Sequence, residues 1–139
     1  GFKAAGALAV ADPNLENADL QFNGSFAALH EDTGLNAAVS FGLLQRDDQD
    51  DQKNLFAKLG WRKELFAIGE TAFSVDYTRS LNLPTDKDDG YSVAAAAVLQ
   101  IDDYGVERYA LYRLHSLDRA SEPDVDDISV VSLGTRVNF

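Results

Sequence analysis

The chain has 139 residues, a net charge of -11, 45% hydrophobic residues and no cysteine. The lack of thiols excludes disulfides and thiolate metal sites, and the acidity excludes the clustered Lys and Arg that non-specific nucleic-acid binding or a basic membrane-surface helix needs. The mean hydropathy of -0.22 is too polar for a helical membrane protein, and the longest apolar run, Val93 to Leu99, is far short of the roughly 20 residues that span a bilayer as a helix.

Methionine is absent even at position 1, so the expectation is a processed mature protein, a fragment or a partly determined sequence. A cleaved secretory signal would account for it, although none is visible.

Period two dominates from end to end. Leu35, Ala37, Val39, Phe41 and Leu43 alternate with Asn36, Ala38, Ser40, Gly42 and Leu44. The same pattern runs through 54–61 (Leu55 to Trp61), 66–78 (Thr71 to Tyr77) and 91–101 (Tyr91 to Ile101). Alternation sustained over this length marks strands with one apolar face. Eight strands are predicted, near 2–10, 20–29, 35–45, 54–61, 66–78, 91–101, 106–117 and 128–139. Ala94 to Ala97 could seed a helix by propensity, but the β-branched and aromatic flanks Tyr91, Val93 and Val98 favour a strand. Most of these segments approach the roughly 9–11 residues of a tilted membrane strand.

The connections alternate as well. Segments 11–19, 46–54, 79–90 and 118–127 are long and polar, whereas 30–34, 62–65 and 102–105 are short. Membrane barrels sort their connections in this way, with tight turns on one side and long loops on the other. The four long segments hold 15 of the 23 acidic residues and 5 basic ones. The acid clusters Asp47-Asp48-Gln49-Asp50-Asp51, Asp86-Lys87-Asp88-Asp89 and Asp124-Val125-Asp126-Asp127 could offer carboxylates to divalent cations, yet none has the spacing of a calcium loop. They read as a solvated rim that repels anions.

In the last strand Phe139, Val137, Thr135, Leu133 and Val131 share one flank, and Asn138, Arg136, Gly134 and Ser132 share the other. The expected fold class is therefore all-β: a transmembrane antiparallel up-and-down barrel with the apolar flank outward. Phe2, Trp61 and Phe139 would fall near the turn-side rim with Tyr104, and Phe22, Tyr77 and Tyr91 near the loop-side rim, as two membrane-interface girdles. The inward residues include Ala5, Ala7, Gln21, Asn23, Ser25, Ala27, Asn36, Ala38, Ser40 and Gly42, all but a few of them small. An eight-stranded barrel must fill its interior with side chains, so these predict a wider barrel of roughly 16 strands with an aqueous lumen. Residues 1–139 would then be one domain or the C-terminal half of one. The charged inward residues Lys3, Lys58, Arg62, Glu70, Asp76, Glu107, Arg113 and Arg136 are expected to line the lumen, the alternative being lateral salt bridges that stiffen the wall.

No catalytic constellation is expected. Glu70 and Asp76 share a face but lie about 20 Å apart along an extended strand, too far for a glycosidase pair. His30 and His115 have no spaced partners for a metal, and no serine stands out beside His115, the one plausible inward base, as a nucleophile. The reading is of a non-enzyme without cofactor or metal.

The segment Val131-Ser132-Leu133-Gly134-Thr135-Arg136-Val137-Asn138-Phe139 resembles the closing strand of Gram-negative outer-membrane porins, which ends in an aromatic residue. Phe22-Asn23-Gly24-Ser25-Phe26 and Asp102-Asp103-Tyr104-Gly105 resemble porin strand and turn segments. The resemblance covers nearly the whole chain but only the second half of such a porin. It implies a homotrimer of 16-stranded barrels in the bacterial outer membrane, passing small hydrophilic solutes and ions by passive diffusion. It also implies contact with outer-membrane lipid and lipopolysaccharide, recognition of Phe139 by the barrel-assembly machinery, and both ends of this chain on the periplasmic side. The constricting loop belongs to the other half, so no constriction residues carry over. Two alternatives remain: a complete eight-stranded outer-membrane barrel with a structural or adhesive role, and a soluble ligand-binding barrel of lipocalin type.

Overall fold

A computed structural model describes residues 1–12, 20–46, 50–83, 88–101, 104–119 and 125–137. All regular structure among them is strand: β1 (Phe2–Ala11), β2 (Leu20–His30), β3 (Leu35–Gln45), β4 (Gln52–Phe66), β5 (Gly69–Leu81), β6 (Asp89–Ile101), β7 (Val106–Asp118) and β8 (Ile128–Val137). The strands pair in chain order, each antiparallel to the next, in one eight-stranded sheet. No ladder joins β8 to β1, so the sheet is open and both outer strands present a free edge. The eight antiparallel strands agree with the expectation, whereas a closed barrel is not formed by these strands alone.

One turn departs from the sequence reading. The segment 62–65 looks like a charged turn, but the ladder continues through Arg62↔Ala72 and Lys63↔Thr71, is interrupted by a bulge, and closes at Phe66↔Gly69. Lys63 and Glu64 offer no turn chemistry, and the first glycine after them is Gly69. The hairpin therefore runs on to Ala67–Ile68, and β4 reaches 15 residues. Thr71 sits close to this bulge, and its buried hydroxyl has no hydrogen-bond partner among the described residues.

Register fixes which residues share a face, because directly opposed residues point the same way. The row Phe2↔His30↔Leu35↔Trp61↔Phe73↔Ala97↔Ala110↔Leu133 crosses all eight strands on one face. Ala5↔Ala27↔Ala38↔Lys58↔Asp76↔Ala94↔Arg113↔Val130 crosses them on the other. One face is thus apolar and the other mostly polar or small, with Phe56, Tyr109, Leu111 and Val130 among its larger members. A one-residue slip anywhere would exchange them, so seven ladders agree on one solution.

Accessibility shows the direction of curl. Along β3 and β5 the apolar-face residues Leu35, Ala37, Val39, Phe41, Phe73, Val75 and Tyr77 are exposed, while their polar-face neighbours Asn36, Ala38, Ser40, Ser74, Asp76 and Thr78 are half-buried. A flat single layer would expose both faces alike. The sheet therefore curves around its polar face, leaving the apolar face convex. Ala94 is the one buried hydrophobic residue among the described positions, and no large side chain is fully buried.

The β2–β3 turn is held by Gly34 N donating to His30 O at 2.9 Å and by Arg62 N donating to Gly34 O at 3.0 Å. Gly34 has φ 74°, and a Cβ there would collide with the Arg62 backbone. Both the left-handed conformation and the close approach demand glycine. Gly34→Ala is expected to cost about 1–3 kcal/mol, measured as a lowered midpoint in denaturant unfolding of the protein. Thr71→Val, which removes an unpaired buried hydroxyl, is expected to leave that midpoint unchanged or raise it.

Candidate functional site

The concave face is the candidate site. All eight charged residues expected on the inward side lie on it by strand parity and register: Lys3 on β1, Lys58 and Arg62 on β4, Glu70 and Asp76 on β5, Glu107 and Arg113 on β7, and Arg136 on β8. They do not converge on one point. Two pairs bridge across strands. The Arg113 guanidinium donates through Nη2 to both carboxylate oxygens of Asp76, at 3.1 and 3.2 Å, and through Nη1 to Ser92 Oγ at 3.5 Å. Arg136 Nη1 meets Glu107 Oε2 at 3.1 Å. Lys3 pairs with Glu31 in the β2–β3 turn. Among the described residues Lys58, Arg62 and Glu70 form no ion pair, so the wall carries both bridged and unbridged charge.

The Arg113–Asp76 bridge depends on the strand between its partners. Asp76 and Arg113 are each opposite Ala94, so the guanidinium crosses two strand spacings, about 9.6 Å, over a single methyl group. This is why Ala94 is the most buried hydrophobic residue. A longer side chain at 94 would occupy the space the guanidinium needs. Lys58 lies opposite Asp76 on its other side, giving a transverse order of cation, anion, methyl, cation.

The long connections lie at one end of the sheet and the short turns at the other. At the loop end Asn82, a non-glycine residue with φ 53°, donates from its side chain to Asp51 O at 2.9 Å and from its backbone to Asp89 Oδ1 at 2.9 Å. Arg119 meets Asp88 at 3.6 Å. The β3–β4 connection is thus tied to β5–β6, and β5–β6 to β7–β8. Asp47, Asp48, Gln49, Asp86, Lys87 and Asp124 of the acid clusters lie outside the described residues. Among the described residues no three His, Asp or Glu side chains gather as a metal cage.

The convex face holds the aromatic residues named from the sequence. Phe2 and Trp61 share one row near the short-turn end, and Phe73 joins them, with Trp61 and Phe73 stacked at 6.2 Å. Trp61 Nε1 donates to Thr33 O at 2.9 Å, fixing the indole against the β2–β3 turn. His30 ends β2 on this face, 4.4 Å from the Phe2 ring, and hydrogen-bonds Thr33 Oγ1 at 2.7 Å. Phe22 on β2 and Tyr91 on β6 both lie near the loop end, four strands apart, while Tyr77 stands four residues inside Leu81 and stacks on Tyr91 at 6.4 Å. Phe139 and Asn138 lie outside the described residues.

One feature of this face was missed in the sequence. Its charged residues stand towards its ends, with Arg79 one row further in than Lys53, level with Leu55. On β4, Lys53 and Lys63 are ten residues apart and flank Leu55, Ala57, Leu59 and Trp61. On β7, Arg108 and Asp118 are also ten apart and flank Ala110, Tyr112, Leu114 and Ser116. Ten residues extend about 34 Å, which at a tilt of roughly 40–45° projects to about 25 Å. The parity of the lysines relative to Trp61 could have revealed this band.

No family model matches the chain, and neither a curated protein nor a solved structure matches it.

Double-mutant cycles should separate the two bridges. Asp76 is 13% exposed and Arg136 is 67% exposed. The coupling of Asp76 with Arg113 is expected to exceed the ~0.2–1 kcal/mol of exposed pairs, whereas that of Glu107 with Arg136 falls within it. Repeating the first cycle in an Ala94→Leu background is expected to abolish the coupling.

Proposed function

We propose that these eight strands form part of the wall of a bacterial outer-membrane porin, a transmembrane β-barrel whose water-filled channel passes small hydrophilic solutes and ions by passive diffusion. One observation carries the reading: the continuous apolar face of the sheet is its convex, exposed face, and it has no apolar core beneath it. Water is a poor solvent for such a surface, which far exceeds the few hundred Å² of an ordinary exposed patch. Acyl chains are a good one. The band of about 25 Å between the end rows, entered only by Arg79 one row from the loop end among the described residues, matches the apolar height of outer-membrane barrels, and lysine and arginine near its margins can extend their heads towards water.

The free edges of β1 and β8 support a barrel wider than these eight strands, because an open edge in hydrocarbon leaves backbone groups unsatisfied. Further strands pairing at both edges would complete a barrel of roughly 16. The small concave side chains suit the wall of a lumen that size. In this reading the long connections face the exterior and lipopolysaccharide. Both ends of the chain then face the periplasm, and Phe139 meets the assembly machinery. In the homotrimer that the resemblance implies, neighbouring copies would cover part of the convex face. The wall charges act on passing ions rather than on a reaction, and the reading invokes no enzyme activity, cofactor or metal.

Two measurements test this. In liposomes with brominated acyl chains, Trp61 fluorescence is expected to be quenched severalfold; the intensity seen in unbrominated lipid would overturn the placement of the convex face. In planar bilayers the protein is expected to give ohmic steps, with a reversal potential in a salt gradient showing mild cation preference. The wall has five cations and three anions, but the acidic loops outnumber them. Clear anion selectivity would show that the wall, not the rim, sets the field.

A further inference from the structure

The concave face is electrically divided. On β1, β2 and β3 its only charged residue is Lys3, at the short-turn end. The remaining charges begin with Lys58 on β4 and continue through β8. The loop-side quarter of β1–β4 instead carries amides and hydroxyls, arranged in three successive rows. Gln21 and Gln52 flank Leu44, Asn23 and Asn54 flank Gly42, and Ser25 stands opposite Ser40. These six polar residues belong to the lining of a concavity of about 470 Å³.

The middle row is shaped like a cleft. Asn23 and Asn54 are two strand spacings apart, about 9.6 Å, with no side chain between them. A Cβ on Gly42 would stand 2.9 Å from Asn23 Oδ1 and 4.0 Å from Asn54 Cβ, so glycine is what lets the Asn23 carboxamide lean over β3 towards Asn54. Asn54 Nδ2 donates to Ser80 Oγ at 3.3 Å, which leaves its carbonyl oxygen available to the cleft. Gln52 is anchored at the rim by Arg46, whose Nη2 donates to Oε1 at 2.7 Å. Phe56, directly opposite Ser40, brings an apolar ring to the cleft margin.

We propose that this cleft is a binding subsite for an uncharged polyhydroxylated solute, a neutral saccharide. The inference deepens the channel reading and rests on the concave face being open to water. Each carboxamide presents a donor and an acceptor side by side, which matches neighbouring sugar hydroxyls that both give and accept hydrogen bonds. An anion would favour the Arg113 side of the wall and a cation the acidic loops. Apart from the Arg46 guanidinium bound to Gln52 at its rim, the cleft is lined by neutral groups, with no carboxylate among them to hold a cation. The exchange of water for amide contacts leaves a small net gain, so the expected affinity is about millimolar, compatible with a solute that must leave again.

Saturation-transfer NMR on the protein in amine-oxide micelles, with maltose as probe and glucose 1-phosphate as the anionic comparator, tests the assignment. Saturable maltose binding at millimolar Kd is expected, weakened at least tenfold by Gly42→Val, which fills the gap, and by Asn54→Asp, which keeps the size and adds charge. Thr135→Ala on the convex face should leave it unchanged. Absence of saturable maltose binding, tighter binding of glucose 1-phosphate, or unaltered binding in both cleft variants would overturn the proposal. Bromolipid quenching of Trp61 is read on the same preparations. Quenching without maltose binding removes the subsite and leaves the channel standing, whereas loss of quenching removes the channel reading itself.

Discussion

Everything in this sheet follows from which of its two faces is curved inward. Alternation with period two gives each strand an apolar and a polar flank, and a soluble protein would wrap the sheet around the apolar one. Here the small and polar flank is enclosed. Leu8, Leu59 and Leu133 stand exposed on the outside, and no buried layer of apolar side chains offsets them. The hydrophobic term that stabilises a water-soluble domain is therefore missing from within the sheet and has to come from what surrounds it. The backbone ladders hold the strands to each other, and the environment of the convex face decides whether the arrangement persists.

That constraint explains the side chains on both flanks. In the proposed membrane setting lipid fills any shape, so the convex residues need only be apolar between the end rows and need not interdigitate. The concave residues are crowded by curvature, so they are small wherever a neighbour must reach across them. Ala94 beneath the Arg113–Asp76 bridge and Gly42 between Asn23 and Asn54 are two cases of one rule: a long polar group in one strand requires a missing side chain in the next. The wall is thereby divided into a bridged, charged sector on β4–β8 and an open, neutral sector on β1–β4, and the two sectors present different chemistry to the same solution.

Most of this architecture is legible in the sequence, because period two is a local property. Strand number, the sorting of long and short connections and the shared face of Lys3, Lys58, Asp76 and Arg113 all follow from parity alone. The β4–β5 turn was not legible, since charged Arg62 and Lys63 look like turn residues until their partners Ala72 and Thr71 are known. The Arg113–Asp76 bridge was equally hidden. It joins strands that are not neighbours, and nothing local to either residue marks the other. Register carries that information, and register belongs to pairs of strands.

The neutral cleft shows the same dependence in a form that bears on function. Asn23, Gly42 and Asn54 are separated by 19 and 12 residues in the chain and become adjacent only through the β2–β3 and β3–β4 ladders. A shift of two residues in either ladder would keep every side chain on its proper face and preserve the apolar band. It would still scatter the amides and place a side chain between them. Burial of the apolar face thus selects among registers of opposite parity, but not among those of equal parity. Within that remaining freedom, loop length and the hydrogen bonds that tie Asn82 to Asp51 and Trp61 to Thr33 set the final alignment. The contacts that fix the rims therefore also fix what the wall can bind.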